Sequence, residues 1–541
     1  MERKWWTLIV VCAATFMLLL DVTIVIVALP EIQSGLHSTF ADVQWVIDAY
    51  AITLASLLLT AGSLADRYGR RLLFLIGLAV FTVGSALCGA AQSPLMLIVS
   101  RSLQGVGGAI LFATSLALLA QTFHGRERGV AFGIWGAVTG VATSLGPVLG
   151  GLITTGISWR GIFFVNLPVG VVALAIAAYK VDESRQPDAS RPDWAGFVVL
   201  TAGLVSLTYG LIRAGESSWS STAVITCLCL GAALIVTFIV VERRASHPMF
   251  DLSLFRIPTF VGGSIAAFTM NGSLFAMLVY LVLYLQDNLG YSALQTGLRL
   301  LLISGASLVF ATISGRLSSQ VPVRWLIGPG LFLVGIGLIL MAGLTGTSSW
   351  THFIPGFIIS GIGAGLVNPP LASTAVGVVV PQRSGMASGV NTTFRQIGIA
   401  TAIAVYGSIF TSAIRSHLDQ QLASTPSLAG SGSRVTSALQ QGTTSSLIAG
   451  TPGSDRGTLV AAIHSSFAAT MNELVIVSGV VALVGAAFAV TLIRSRDFVE
   501  HRAPPSPTPS SDPAARSGAA PGVETGSATS AVATPNPPAS G

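Results

Sequence analysis

Two ionisable residues lie where a bilayer tolerates charge poorly. Asp21 is the only ionisable side chain between Trp5 and Leu29, and Arg101 lies inside the apolar stretch 95–119. A carboxylate in hydrocarbon costs about 3 kcal/mol on insertion scales and marks a proton or ion route. Arg101 needs a carboxylate or carbonyl partner, and either Asp21 or Asp48 can serve. A nearby opposite charge and desolvation act on a carboxylate's proton affinity in opposite senses. Such a pair can therefore hold and release a proton. Counting from span ends puts Asp21, Asp48, Arg101 and Glu473 together in the outer half of the membrane. For Asp48 and Glu473 the plainer alternative is contact with interfacial water, and for Arg101 a structural clamp.

The elements that must hold these groups are membrane helices. Of 541 residues, 52% are hydrophobic and 9% charged, and the mean hydropathy is +0.75. The apolar residues fall into fourteen blocks of helix-spanning length: roughly 5–29, 45–64, 72–91, 95–119, 129–153, 161–179, 194–213, 222–241, 259–284, 297–315, 325–344, 352–376, 387–413 and 467–493. A transmembrane β-barrel would show short alternating segments instead. The first block is too long for a signal peptide and lacks a small-residue cleavage site. Most of the 28 lysines and arginines fall in the termini and alternate loops, so the net charge of +6 reads as positive-inside bias rather than nucleic-acid binding. Both termini are then cytoplasmic in a multi-pass cell-membrane protein. The four cysteines lie within spans, which argues against a disulfide framework, and the histidines show no metal-ligand spacing.

A faint parallel repeat runs through the chain. Gly105–Ala109 matches Gly361–Gly365, Arg128 matches Arg383 and Gly62 matches Gly315, at offsets of 256, 255 and 253. The fold expected is all-α, with two six-helix bundles over 1–180 and 258–494. The segment 181–257 is an inserted helix pair with linkers, expected to be peripheral. Loop 414–466 is extracellular and lacks the periodicity of a folded domain, and 495–541 is a disordered cytoplasmic tail.

Three further patterns bear on transport. Gly62 through Arg71 gives a tight turn, with Asp66 near a helix N-terminus and Arg67, Gly69 and Arg70 set to latch neighbouring helices in one conformation. Positive-inside anchoring is the plainer reading of the arginines. Gly105, Gly107 and Gly108 follow Arg101 and permit close helix contact. Gly140, Gly146, Pro147 and Gly150 make a bent, close-packing helix suited to a gate, with ordinary packing as the alternative. No phosphate-binding loop, nucleophile elbow or zinc signature is present, so no nucleotide, metal, other cofactor or enzymatic activity is expected. Energy then comes from an ion gradient, or the protein is a facilitator.

These residues resemble the major facilitator superfamily, specifically its fourteen-span drug:proton antiporters. The resemblance covers about 1–494. It rests on Leu20–Pro30, Gly62–Arg71, Arg101–Gly108 and Gly140–Gly151, on Trp159, Arg160, Phe163, Asn166 and Pro168, and on Asp251–Arg256 and Gly389–Gln396. It implies alternating access by two rocking bundles and proton-driven export of amphipathic or cationic small molecules, with Asp21 and Arg101 in proton coupling. Partners would be the substrate, protons and the bilayer, and a monomer is compatible with this. Two departures stand out: Ile26 replaces a common Asn, and Gly315–Ser319 lacks the family's acidic residue. The rival readings are a dedicated exporter of one metabolite, lipid or peptide, and a non-transporting sensor or scaffold whose tail binds a partner.

Overall fold

With no water in hydrocarbon, backbone groups must pair within their own segment, so long apolar stretches fold as helices. The computed structural model describes residues 2–498 apart from 124, 184–192, 217, 245–251, 319, 380–383, 424, 426, 441–442. Arg128 lies in a helix whose side chain there is outside that description. So do Asp251, Arg383 and the tail from Glu500 altogether. The described residues hold eighteen α-helices and no strand. In chain order these are α1 (Arg3–Leu36), α2 (Phe40–Tyr68), α3 (Arg70–Gly89), α4 (Pro94–Thr122), α5 (Gly125–Gly156), α6 (Gly161–Phe164), α7 (Asn166–Lys180), α8 (Trp194–Glu216) and α9 (Thr222–Arg244). They continue as α10 (Pro258–Met270), α11 (Ala276–Leu283), α12 (Ala293–Leu317), α13 (Arg324–Ile339), α14 (Ile354–Gly377), α15 (Ser384–Leu422), α16 (Gly432–Gln440), α17 (Thr444–Gly450) and α18 (Gly453–Leu492). Two π-helical turns, Asn271–Phe275 and Tyr284–Asn288, flank α11.

Twelve of these segments are long and apolar enough to cross a membrane, counting α10 to Asn288 and α6–α7 as one each. The bent α5 makes thirteen: Ile134–Ala142 and Leu145–Gly156 meet at 44°. Pro147 explains the bend, because it removes a donor and crowds the carbonyl one turn back. The stretch expected over 325–344 is helical for 16 residues only, a rise of about 24 Å. Capping boxes start α2 (Thr39 with Asp42) and α12 (Ser292 with Gln295), and Ser93 caps α4 with Pro94 behind it.

The segment 414–466 departs from the expected irregular loop. α15 runs on to Leu422, α16 and α17 follow, and α18 begins at Gly453. Ile414, Leu418 and Leu422 recur every four residues and are all buried, joined by Leu428, Val435 and Leu459. The intervening Ser, Thr, Gly and Gln dilute the hydropathy and hide that stripe.

Packing differs between the two ends of the bundle. At the end bearing Arg3, Gly69 and Arg70 (the arginine-rich face), residues of α1–α5 and α7 close a core of their own around Phe74, Phe81 and Phe123. Toward the opposite face, α1 and α2 share one core with α10–α15 and α18. The inserted pair is not simply peripheral. Leu200 and Leu204 of α8 pack with Ala51 and Ile52 of α2 and Val390 and Ala400 of α15, so α8 touches both helix sets. α9 lies against α8 and leaves Ile225, Leu230 and Val236 exposed.

Candidate functional site

Asp21 sits midway along α1 and is completely buried. Arg101, in α4, is 1% exposed and brings Nη1 to 2.6 Å from the Asp21 Oδ2. The same Nη1 donates to Gln104 Oε1 at 2.6 Å, and Nε donates to the Val46 carbonyl of α2 at 3.1 Å. The guanidinium lies over the Tyr50 ring, 4.2 Å from its centroid. Gln104 Nε2 and Asn166 Nδ2 donate to the other oxygen of Asp21 at 2.8 and 3.2 Å. Both amides also donate to Ser85 Oγ, which donates to the Phe163 carbonyl at 2.9 Å. One carboxylate thus ties together α1, α2, α3, α4 and α7. Of the two partners open to Arg101 from sequence, the structure selects Asp21. Asn166 and Gln104 belong to the runs that carry the family resemblance, without an assigned role there, and Ser85 belongs to none of them. Gln104 carried a signal, since it follows Arg101 by three residues on the same helix face.

Asp48 is also completely buried, yet neither oxygen has a hydrogen-bond partner among the described residues. One turn earlier, Gln44 Nε2 donates to the Ile403 carbonyl of α15 at 3.0 Å and to Tyr280 Oη at 3.2 Å. Asp48 therefore stands where α2 meets the second helix set, and interfacial water does not account for it. Glu473 does not join the group. It lies on α18, its side chain 48% exposed, and its Oε1 is 2.7 Å from His417 Nε2. The depth count was misleading because depth does not say which way a side chain faces. An exposed pair contributes up to about 1 kcal/mol. Glu473→Gln should therefore lower stability by no more than about 1 kcal/mol, read from the thermal midpoint.

The α5 glycines set the wall beside Asp21. A Cβ at Gly146 would fall on the Thr23 side chain, and one at Gly150 would lie 2.7 Å from the Ile24 carbonyl. Both therefore hold α5 against α1, and Pro147 carries the bend. Gly140 instead faces α12, its missing Cβ 3.0 Å from Leu308. Nearer the opposite face, Gly151 abuts Ala293 and Gly297 abuts the Pro147 carbonyl. Leu294 N donates to Thr155 Oγ1 at 3.2 Å, and Gln286 Nε2 to the Val27 carbonyl at 2.8 Å. Toward the arginine-rich face, a Cβ at Gly136 of α5 or at Gly305 or Gly315 of α12 would meet no atom of the described residues within 4 Å. Toward the opposite face α5 and α12 thus meet backbone to backbone.

The expected latch is partly a capped helix start. α2 continues through Gly62 to Tyr68, so the turn is Gly69 alone, with φ of +121°. Glu183, beyond α7, accepts from the backbone N–H groups of Arg71 and Leu72 at 3.1 Å each. Arg70 donates to Gln121 Oε1 at 3.0 Å, and Arg71 donates to the Ala178 carbonyl. Arg67 stacks on Tyr68, and the Asp66 side chain lies outside the described residues. Glu183 was not foreseen, because its partners are far away in sequence. Glu183→Ala removes the cap and should lower stability by about 1 kcal/mol, visible in the thermal midpoint.

A second guanidinium sits within the spans. Arg395 of α15 donates from Nε to Asn391 Oδ1 and from Nη1 to Asn368 Oδ1 of α14, both at 3.3 Å. No carboxylate pairs with it among the described residues.

A profile of the Major Facilitator Superfamily matches residues 11–403. The tetracenomycin C resistance and export protein of Streptomyces glaucescens is 33% identical over 527 residues, covering 94% of this chain and 95% of its own. The multidrug resistance protein Stp of Mycobacterium tuberculosis is 35% identical over 417 residues, covering 77% and 78%. Among solved structures, a bacterial homologue of the human lysosomal transporter Spinster, in an inward-facing and occupied conformation, aligns with a TM-score of 0.63 at 15% identity. That alignment covers 92% of this chain and 98% of the other.

Proposed function

The chain belongs to the Major Facilitator Superfamily of membrane transporters, and from that premise we propose that it exports small organic molecules across the cell membrane in exchange for protons. Relatives named for drug resistance and export support the cargo class. The observation that carries the coupling is the Asp21 cluster. Its carboxylate is neutralised by Arg101 and held by two amide donors, Gln104 of the same helix and Asn166 of α7.

A proton arriving at Asp21 removes the charge that holds Arg101. Arg101 keeps its bond to the Val46 carbonyl and its place over Tyr50, both on α2. Protonation therefore moves the guanidinium's allegiance from α1 to α2, and the two helices are biased differently in the two charge states. Coupling requires that proton and substrate favour different access states. Asp48, without a donor among the described residues, is placed to share the proton as the two bundles, 1–180 and 258–494, part and rejoin.

The arginine-rich face is assigned to the cytoplasm, with both termini, and the opposite face to the outside. The closed contact between α5 and α12 then seals the outside in the state described. The reading includes fourteen spans, with α13 and the residues after it making one crossing and α8–α9 inserted between the bundles. The deciding experiment uses purified protein in vesicles, with internal pH followed as substrate is added. Proton movement that depends on substrate, and substrate movement that depends on the pH gradient, are expected. Substrate export indifferent to the gradient would reduce the protein to a facilitator.

A further inference from the structure

We infer that Arg395 is the binding group for an acidic function on the exported molecule, a carboxylate or an ionised phenol or enol; this rests on the export reading above. Charge accounting within the spans leads to it. Asp21 and Arg101 neutralise each other. Asp48 has no partner among the described residues, but a carboxylate can dispose of its charge by taking a proton. A guanidinium has no such escape, because arginine is not deprotonated in proteins. Arg395 is therefore an intramembrane charge left without an anion among the described residues.

Its surroundings suit a visiting anion. Its protein partners are two neutral amide oxygens at 3.3 Å, the long end of the hydrogen-bond range. Asn391 is oriented by donating its own Nδ2 to the Gly263 carbonyl of α10, which turns its oxygen to Arg395. Those two contacts occupy Nε and one hydrogen of Nη1, so Nη2 donates to no described group. The residue is mostly buried and keeps a minor part of its surface exposed. A guanidinium with adjacent free N–H groups is built for bidentate carboxylate recognition. Arg395 is eleven residues into α15, about 16 Å along the axis.

Arg395 neighbours Phe394, which packs with Phe255 at 6.0 Å between ring centroids, and Thr393, whose Oγ1 donates to the Ala55 carbonyl of α2 at 3.0 Å. The guanidinium itself lies about 200° around α15 from that α2 contact and is turned toward Asn368 of α14, within the second helix set. An aromatic acid would place its ring against apolar walls and its charge on Arg395.

The test compares three probes of one shape: 9-anthroate, neutral 9-anthracenemethanol and cationic 9-anthracenemethylammonium. Binding to the purified full-length protein is read at equilibrium by fluorescence, with no gradient present. The parent protein should prefer the carboxylate over the alcohol by at least about tenfold, as a desolvated charge pair allows. Arg395→Gln should abolish that preference while leaving the alcohol within about twofold, and Arg395→Lys should keep part of it, since ammonium retains charge without the planar fork. The unchanged alcohol affinity serves as the check on folding. Equal affinities for carboxylate and alcohol in the parent, or an undiminished preference in Arg395→Gln, would overturn the assignment, as would tightest binding of the ammonium probe. Export is scored separately by vesicle pH. Loss of the anion preference leaves the export reading standing, and failed proton exchange leaves the anion site standing.

Discussion

Asp21→Asn should abolish substrate-dependent proton movement while the protein still reaches the membrane. Asparagine keeps the shape, and its oxygen can still accept from Gln104 and Asn166. Its amide nitrogen, however, replaces the oxygen that lies 2.6 Å from Arg101 Nη1, setting donor against donor. It also has one charge state, so the cluster loses the two conditions between which a proton could switch it. Stripping one partner from a buried ion pair costs about 3–5 kcal/mol because the other charge is left alone. A fall in yield is therefore expected, and Asp21→Asn combined with Arg101→Gln removes the stranded charge. The double variant should recover thermal stability and remain uncoupled. Normal proton flux in either variant, measured in vesicles, would sink the role given to Asp21.

Gly297→Leu should cut export and open the face assigned to the outside. A Cβ at Gly297 falls on the Pro147 carbonyl, and one at Gly151 falls on Ala293, so α5 and α12 touch there backbone to backbone. Overpacking typically costs about 1–3 kcal/mol, which moves a two-state equilibrium by roughly five- to 150-fold. The strain is relieved in the state where α5 and α12 separate. A cysteine at Leu294 should then react with an impermeant maleimide at least about tenfold faster in the Gly297→Leu background, the scale set by the same strain. Unchanged labelling would mean that this contact is not the seal.

Much of this architecture can be read from residue order because the bilayer leaves few choices. A charge in an apolar stretch must find a partner, so Asp21 and Arg101 announce themselves. Which acid Arg101 meets depends on how α1, α2 and α4 are rotated about their axes, and linear spacing does not carry that. The same gap misplaced Glu473, whose depth was countable while its outward aim toward His417 was not. Ser85 looks like an ordinary polar residue, and Gln104 and Asn166 have no evident task, until a carboxylate is found beside them. In 414–466 the stripe Ile414, Leu418, Leu422 was present, diluted by polar neighbours. Gly297 and Gly151 gave little warning, since a membrane chain holding 59 glycines offers many candidates for close contact.

The two π-helical turns around α11 decide what the second helix set shows to the first. Each wide turn takes up one residue beyond regular winding, which offsets everything after it by about 100° around the axis. The azimuth of Tyr280 toward Gln44 is thus set by Asn271–Phe275, and the second wide turn, Tyr284–Asn288, itself carries Gln286 to the Val27 carbonyl. Removing a single residue from the first wide turn would leave the hydropathy of this span intact and swing both polar contacts away from their partners.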